Sequence, residues 1–454
     1  MSDPISIRND YGYDLIGRLR DRILLFRDKF DAFEVQAFDN QLRMSWSKTL
    51  DDLRKRDMQV LAVAAGKNDF SVIFRNIVRG ETSLRVHKYD PGANLIDSAV
   101  MKNYTNSVFT QPVLNYVRSD DRNCFVVFNR ADVATVQATC FQLDKMTVLW
   151  DETFGAGEEL EALNIKGIVV GNQGEFLIVS ETHNRKSKAT EHAFLISELG
   201  RGAKNRQAAL DLPESFTRDV RFAFDNSAGC LVGAGLYGEK NKDRVHGAFF
   251  LRHSFTTDTL SFVRYEPFDE QFFSIMRKRD GDDGGKGISD AHIQHLVLRQ
   301  DGGAVMIAER HHEIQRGGST TRGTWRDGAR TIVDFYFDDL FIITFYPDGQ
   351  VHWKTVLHKK QYSQDDEGIY SSYYLFQQTD RLHFLFNDEI RYENTCSEYV
   401  VDPLGGFDRN NVLNTVGQSM RLRFRDSIQL NARECLIPSE FRNKLRLLLL
   451  RYGG

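Results

Sequence analysis

Two pairs of adjacent carboxylates come nearest to a catalytic pattern in this sequence, Asp338 with Asp339 and Asp365 with Asp366. Paired carboxyl groups can serve as general acid and general base in glycoside hydrolysis. The same side chains also end strands and solvate turns, and no fixed spacing joins the two pairs. The four carboxylates therefore define an alternative function, a glycan-binding or glycan-hydrolysing protein with a central pocket, beside the plainer role of turn residues.

Four histidines raise the question of a metal site. His311 and His312 follow an apolar run, and His292 and His295 come one predicted strand earlier. The local order HHEIQ is not HExxH, and alternation along a strand sends His311 and His312 to opposite faces. Several imidazoles could still meet in space, although polar surface or channel lining is their plainer role. The sequence therefore predicts no metal and no other cofactor.

Motifs for nucleophilic or nucleotide-dependent chemistry do not occur in this sequence. Ser371 and Ser372 lie in no GxSxG elbow, and no GxxxxGK[ST] or GxGxxG loop opens a helix. The five cysteines show no CxxC spacing, and most lie in apolar runs typical of buried thiols. The sequence therefore favours a non-catalytic protein, and no catalytic residue is assigned.

Aromatic side chains gather in the same part of the chain as the carboxylates. They are Trp325, Tyr336, Tyr370, Tyr373 and Tyr374. Tyr and Trp combine a large apolar ring with a polar group, which makes them frequent anchors of protein interfaces. Core packing is the plainer role for most of them. The others make this region the candidate interaction surface, with another protein as the expected partner.

Charge and hydropathy argue against several classes of protein. Lys and Arg number 59 against 63 Asp and Glu, and no segment concentrates one sign, so nucleic-acid binding is not expected. No apolar stretch reaches the roughly 18 residues of a membrane helix, so membrane insertion is not expected. The N-terminus lacks the basic and apolar regions of a secretory signal. With 41% hydrophobic and 12% aromatic residues, the chain can bury an extensive core of strands.

A recurring pattern of short strands sets the expected fold. Each copy contains an alternating strand, a polar turn and a strand that often carries an aromatic residue. The landmarks before the polar turns are Phe38, Tyr89 and Phe141, and positions near Ile196, Arg252, Phe345 and Phe424. The first three are 51 and 52 residues apart, a period typical of four-stranded propeller blades. The pattern predicts an all-β fold, a single β-propeller of about seven four-stranded blades.

The two ends of the chain predict how the propeller closes. We expect an N-terminal extension over residues 1–21 and the propeller over residues 22–452. The apolar strand Lys444–Tyr452 has nothing after it to pair with, while the first copy is short of one strand. Pairing of this C-terminal strand with the first blade would remove both exposed edges. Surface insertions are expected in three polar stretches, near 277–290, 315–330 and 388–418.

Several segments resemble a group of uncharacterised extracytoplasmic β-propeller proteins of Bacteroidetes-type bacteria. The segments that carry the resemblance are 224–226, 233–237, 247–251, 295–309, 337–340, 347–353, 366–368, 370–373 and 382–387. These motifs are structural, and they cover roughly the C-terminal half of the chain. The first half is similar only as a pattern. The resemblance carries no catalytic residue over to this chain.

The resemblance implies a periplasmic or cell-envelope location, with the signal peptide absent from this chain, while a cytoplasmic location stays open. It also implies an accessory role in an envelope assembly, such as a type IX secretion translocon. Rigid scaffolds commonly carry their binding residues on loops. The main functional prediction is thus a non-catalytic scaffold that binds another protein, and the glycan-active propeller is the alternative.

Overall fold

The structure is a computed structural model of the 454-residue chain. The residues it describes are 1–78, 81–104, 113–130, 135–155, 164–182, 192–200, 206–212, 216–239, 243–255, 261–277, 287–316, 332–388, 390, 395–415, 417–418 and 420–453. Their regular structure consists almost entirely of strands, which confirms the predicted all-β class.

Antiparallel sheets follow one another along the chain as the blades of a single propeller. Strand β1 is Ile5–Ser6. Blade 1 consists of β2 Asp10–Leu19, β3 Arg22–Lys29, β4 Phe33–Phe38 and β5 Met44–Thr49, and blade 2 of β6 Met58–Ala65, β7 Phe70–Val78, β8 Glu81–Tyr89 and β9 Leu95–Tyr104. Blade 3 consists of β10 Asn115–Arg118, β11 Cys124–Arg130, β12 Thr135–Gln142 and β13 Thr147–Gly155, and blade 4 of β14 Asn164–Val170, β15 Phe176–Thr182, β16 Ala193–Leu199 and β17 Arg206–Asp211.

The second half of the chain continues the same order. Blade 5 consists of β18 Phe216–Asp225, β19 Cys230–Gly238, β20 Gly247–His253 and β21 Phe262–Pro267, and blade 6 of β22 Ala291–Leu298, β23 Ala304–Arg316, β24 Ile332–Phe345, β25 Val351–Leu357 and the additional β26 Gln361–Gln364. Blade 7 consists of β27 Tyr374–Gln377, β28 Leu382–Asn387, β29 Thr395–Val401 and β30 Phe407–Asn414, and blade 8 of β31 Ile428–Asn431, β32 Glu434–Phe441 and β33 Lys444–Arg451 together with β1. The first strand of each blade lies nearest the central channel, where β2 contacts both β6 and β31.

Clusters of buried apolar side chains lie between all neighbouring blades. Because each sheet packs on two others, its central strands are apolar on both faces, as in the fully buried run Ile23–Leu25. The outermost strands alternate between exposed and half-buried positions, as in β5. One cluster joins blade 8 to blade 1, with Leu436 and Leu445 beside Ile23. The apolar contacts thus run around a closed ring.

The described residues form eight four-stranded blades, so the predicted number of about seven is wrong. The six landmarks up to Phe345 all occupy the same place in their blades, the third strand. The seventh, Phe424, lies instead in a short 3-10 helix, Phe424–Asp426, between blades 7 and 8. The stretch 388–418, predicted to be an insertion, contains the blade strands β29 and β30. Treating these strands as an insertion merged two blades into one.

Closure uses the opposite end of the chain from the one predicted. The C-terminal strand β33 is the third strand of blade 8, and β1 pairs with it as the fourth, with Ile5 opposite Leu445. Pairing of the C-terminal strand with the first blade was therefore a wrong prediction, because blade 1 already has four strands beginning with β2. Residues 1–21 do not form a separate extension either, since β1 and β2 both belong to blades.

A cluster of polar side chains, which we call the clasp, ties this junction together. Arg27 on β3 donates to both carboxylate oxygens of Asp10, at 2.8 and 3.0 Å, and to Glu34 at 3.2 Å. The same guanidinium donates to the backbone carbonyl of Ser6 at 2.6 Å. The Arg27 side chain is only 8% exposed. The clasp therefore joins β1 to blade 1 through strong, charge-assisted hydrogen bonds.

The described residues contain one α-helix, α1 Glu270–Arg277, which packs Phe272 and Met276 into the cluster between blades 5 and 6. No helix in the described ranges is both long enough and apolar enough to cross a bilayer. Most residues of the two insertions predicted near 277–290 and 315–330 lie outside the described residues.

Candidate functional site

Blade 6 carries an extension in which two of its strands continue beyond the sheet. Residues 311–316 of β23 pair with residues 332–337 of β24, past the point where β22 begins. On the other side of β24, β26 pairs with residues 334–337. We call this three-stranded extension the ribbon. It stands on the end of the propeller at which the first strand of blade 6 begins.

The ribbon leaves the blade at a β-bulge, where Arg310 of β23 faces both Asp338 and Asp339 of β24. A bulge bends its strand and re-aims the side chains beyond it. Asp339 is buried and accepts the backbone N–H of Lys359 at 3.2 Å. Burial raises the pKa of the neighbouring Asp338 carboxyl. These adjacent carboxylates therefore form the bend from which the ribbon projects.

The outer face of the ribbon carries a set of aromatic and polar side chains. These residues occupy alternating positions and are His312, Ile314, Arg316, Tyr336 and Tyr362. His312 stacks on Tyr336 with 4.7 Å between ring centroids, and Tyr336 lies 5.1 Å from Tyr362. Beneath them, buried Asp334 accepts hydrogen bonds of 2.7 Å from Arg316 and from Tyr362. Fixed rings beside an arginine are typical of the anchors of protein interfaces.

The opposite face of the ribbon rests on a buried ion pair. Lys359 Nζ lies 2.6 Å from Glu309 Oε1, and neither side chain is exposed. Ser372 Oγ donates to the second oxygen, Glu309 Oε2, at 2.6 Å, and Lys359 also donates to Gln361 Oε1 at 2.9 Å. Burial lowers the pKa of Lys359, and the Glu309 carboxylate opposes that shift. Both buried charges thus have close polar partners, as burial requires.

The loop that follows β26 covers this ion pair in an unusual conformation. Four residues have φ between +51° and +68°, namely Asp365, Glu367, Gly368 and Ser372. Left-handed backbone is costly for residues other than glycine and persists only where surrounding contacts impose it. Asp365 Oδ1 accepts the Val333 N–H at 2.9 Å, and Gln361 Oε1 accepts the Ser372 N–H at 2.8 Å. The ribbon therefore holds the loop in this shape.

A cavity of about 760 Å³ opens between this loop and the first strands of blades 5 to 7. We call it the histidine pocket, because His292, His295 and His311 line it together with Arg221 and Arg425. The His292 and His311 ring centroids are 4.2 Å apart. The described residues contain no group of three metal-ligating side chains placed around one position. Alternation places His311 in the pocket, on the opposite face of the ribbon from His312.

Burial controls the charge of two of these imidazoles. Burial lowers the pKa of His295 to about 4, and the nearby Arg221 adds to that shift while Glu309 opposes it. Its Nδ1 lies 2.8 Å from the hydroxyl of buried Tyr373. Burial also lowers the pKa of His311, with His292 as the next cause. At neutral pH His295 and His311 are therefore uncharged, and the positive charge of the pocket comes chiefly from its guanidinium groups.

The aromatic residues predicted from the sequence divide between different environments. Tyr336 lies on the outer face of the ribbon, whereas Tyr373 is only 3% exposed and belongs to the core between blades 6 and 7. Tyr374 is half-buried and lines the histidine pocket. Tyr370 is half-buried, with its hydroxyl 3.4 Å from a backbone carbonyl of blade 8. Trp325 lies outside the described residues.

The four predicted carboxylates lie around the base of the ribbon. Asp338 and Asp339 form the bulge, and Asp365 ties the covering loop to β24. Asp366 accepts the Gly368 N–H at 3.0 Å within the same loop. None of the four lines the histidine pocket or the second channel cavity of about 830 Å³ beside blades 8, 1, 2 and 3. Their described contacts are those of turn and bulge residues.

Sequence reasoning does not find Glu309, Lys359, Arg221 or Arg425. Glu309 offers one signal, because it follows five apolar residues of β23, where a carboxylate must be buried and needs a partner. The other three occupy unremarkable polar positions on separate elements. Folding alone brings them to the ribbon and the pocket.

No family model and no curated protein matches this chain. Among solved structures, a prolyl endopeptidase is 9% identical, with a TM-score of 0.41, over 96% of this chain and 54% of that chain. The chain thus spans about half the length of that peptidase. The Nup133 β-propeller domain of Vanderwaltozyma polyspora is 9% identical, with a TM-score of 0.41, over 87% of this chain and 100% of that chain.

A further match is the β-propeller domain of the trilobed protease from Pyrococcus furiosus, whose description reports an open velcro topology. It is 7% identical, with a TM-score of 0.39, over 87% of this chain and 97% of that chain. The eight-bladed architecture described above follows from the strand pairing of this chain itself.

Proposed function

We propose that this protein is a non-catalytic propeller that binds another protein through the outer face of the ribbon. The stack of His312 on Tyr336, beside Ile314 at 43% exposure, carries the proposal. An exposed isoleucine beside fixed aromatic rings offers apolar area for a partner to bury. Because Asp334 already orders Arg316 and Tyr362, little side-chain entropy remains to be lost on binding.

The edge of the ribbon supports a protein as the partner. Among the described residues, β24 is the one strand that pairs with residues 312–316 of β23. The backbone groups on the far side of these residues can therefore accept an added strand from another chain. Backbone pairing of this kind belongs to peptide recognition. The described contacts of the carboxylates offer no comparable support for the glycan alternative.

From the sequence resemblance we further propose that the partner belongs to a bacterial envelope assembly, such as a type IX secretion translocon. The protein would act in that assembly as an accessory subunit. Fractionation of the native host tests this part by itself. Recovery of the protein in the cytoplasm would remove the envelope setting and leave the binding face open to a different partner.

A photo-crosslinker tests the binding face directly. We expect benzoylphenylalanine at Ile314 to capture a specific protein in host cells, because this residue lies at the centre of the outer face. The matched control is the same replacement at Leu404, which is 78% exposed and lies in the β29–β30 turn at the opposite end of the propeller. Equal capture at both positions, or no capture at Ile314, would contradict the proposal.

A further inference from the structure

We infer that the histidine pocket binds an oxyanion, a carboxylate or a phosphate group, at the mouth of the channel. This site is separate from the outer face of the ribbon and does not depend on the protein-binding proposal. The pocket combines arginine charge without an ion pair among the described residues, one unsatisfied imidazole nitrogen and a preformed wall.

The charge of the pocket is the first observation. Arg221 lines the cavity from blade 5 and Arg425 from the short helix between blades 7 and 8, and neither forms an ion pair with a described residue. The lining contains one carboxylate, Asp219, whose Oδ2 accepts the Ile293 N–H at 2.7 Å. Two permanent positive charges therefore face a cavity with one negative charge. An anionic ligand would restore the balance.

Both guanidinium groups are held in defined orientations. Arg221 Nε donates to the backbone carbonyl of Ile293 at 3.1 Å, which leaves its two terminal nitrogens for a ligand. The Arg425 guanidinium lies 4.6 Å from the centroid of the Phe337 ring. A guanidinium anchored in this way presents a planar pair of donors that matches two oxygens of a carboxylate or a phosphate.

The imidazoles provide the second observation. His311 stacks on Phe337 with 5.2 Å between centroids and 8° between planes. Its Nδ1 is shielded from solvent and makes no hydrogen bond to any described residue. An unsatisfied buried nitrogen is costly, and a bound group with a suitable oxygen or hydroxyl would complete it. His292, whose ring centroid is 4.2 Å away, lies at the same wall of the cavity.

The wall itself is preformed. Tyr373 and Ser372 are buried, and Ser372 is fixed through its hydrogen bond to the Glu309 carboxylate. Strands β18, β22 and β27 supply most of the remaining lining, so a ligand meets rigid elements. The volume of about 760 Å³ leaves room for a molecule larger than a single phosphate to carry the anionic group. That molecule is a small oxyanion metabolite or the acidic side chain of a bound polypeptide.

Calorimetric titration of the full chain at low salt distinguishes these sources. The probes are inorganic phosphate, citrate, and a Glu-rich decapeptide with its Gln counterpart. We expect at least one anionic probe to bind the wild type, and Arg221→Gln to weaken that binding by about 10- to 100-fold, as for a lost charged hydrogen bond. Binding of citrate or phosphate points to a small oxyanion, and binding of the Glu peptide alone points to a polypeptide.

Two further variants make the result decisive. Arg425→Glu places a negative charge in the pocket at an exposed position and should abolish binding. Arg43→Ala removes a side chain that is 76% exposed on blade 1, outside the pocket, and should leave binding unchanged. Circular dichroism and melting curves confirm that each variant is folded. Absence of binding by every probe to the wild type, or equal binding by wild type and Arg425→Glu, would overturn the inference.

Discussion

Arginine side chains contribute to both the clasp and the histidine pocket, but they meet different neighbours there. In the clasp, the Arg27 guanidinium donates hydrogen bonds to Asp10, Glu34 and the Ser6 carbonyl. In the pocket, Arg221 gives one hydrogen bond to a backbone carbonyl and has no ion pair with a described residue. Arginine therefore stabilises the closure of the propeller in the clasp, whereas in the histidine pocket its positive charge remains available to a ligand.

A second pair of arginines shows the same contrast within one short segment. Arg423 forms ion pairs with Asp426 and with Glu440, the latter at 2.7 Å, and lines the cavity beside blade 1. Arg425, two residues later, lines the histidine pocket and has no such pair within the described part of the chain. Composition therefore does not separate structural charges from binding charges. The partners that neighbouring blades supply make the difference.

The largest effect is expected at the buried ion pair below the ribbon. Lys359→Met leaves the Glu309 carboxylate buried without its counter-ion, so we expect the free energy of unfolding to fall by about 4–5 kcal/mol. Urea denaturation measures the loss. The double variant Lys359→Met with Glu309→Leu should recover part of it, because no charge then remains buried. A single variant as stable as the wild type would show that this pair is not structural.

Opening the clasp should cost somewhat less, because its carboxylates can reach water once blade 8 loosens. We expect Arg27→Ala to lower the free energy of unfolding by about 3 kcal/mol. The matched control is Arg22→Ala on the same strand, whose pair with Asp21 is 3.6 Å long and exposed, with an expected cost below about 1 kcal/mol. Equal losses in the two variants would remove the distinction between clasp and surface pair.

Acidification should weaken the fold through His295. Its folded-state pKa of about 4 lies below its ordinary value of 6.5, so the unfolded chain takes up this proton first. The stability that depends on neutral His295 is therefore present above pH 6.5 and lost as the pH falls towards 4. We expect a contribution of up to about 3 kcal/mol over that window, at about 1.36 kcal/mol for each pH unit. Denaturation curves measured between pH 4 and 6.5 should show a weaker pH dependence for His295→Gln than for the wild type. The same pH dependence in both proteins would show that His295 is not responsible.

The smallest effect on stability is expected in the histidine pocket. Arg221→Gln removes an exposed charge that has no ion-pair partner among the described residues, so the free energy of unfolding should change by less than about 0.5 kcal/mol. Thermal melting in the absence of any anion measures this. A loss as large as that of Arg27→Ala would assign Arg221 to the scaffold and would erase the contrast between pocket and clasp.

Much of the blade could be predicted from local patterns. The six landmarks from Phe38 to Phe345 lie in third strands because alternation and polar turns are properties of neighbouring residues. The prediction fails at β29 and β30, because Thr395–Val401 and Phe407–Asn414 carry many polar residues, as an insertion would. β30 is an outermost strand, and most of its side chains are exposed, so its hydrophobic signal is weak.

The site was predicted only as a region. Tyr336 and the carboxylates from Asp338 to Asp366 do surround one extension of blade 6, because they come from adjacent strands and one connecting loop. The individual roles were not predictable, since a bulge turns Asp338 and Asp339 into a bend and burial places Tyr373 in the core. Arg221 comes from blade 5 and Arg425 from the short helix between blades 7 and 8, and nothing local relates them.

Local sequence patterns are sufficient to predict the all-β class and the four-stranded unit, because strand periodicity and turn chemistry act over a few residues. The number of blades, the chain end that closes the ring, and the arginines that have no ion pair with a described residue follow from the tertiary structure alone. Each of these depends on contacts between residues far apart in the chain, such as Ile5 with Leu445. These long-range contacts form only when all the blades pack together into the ring.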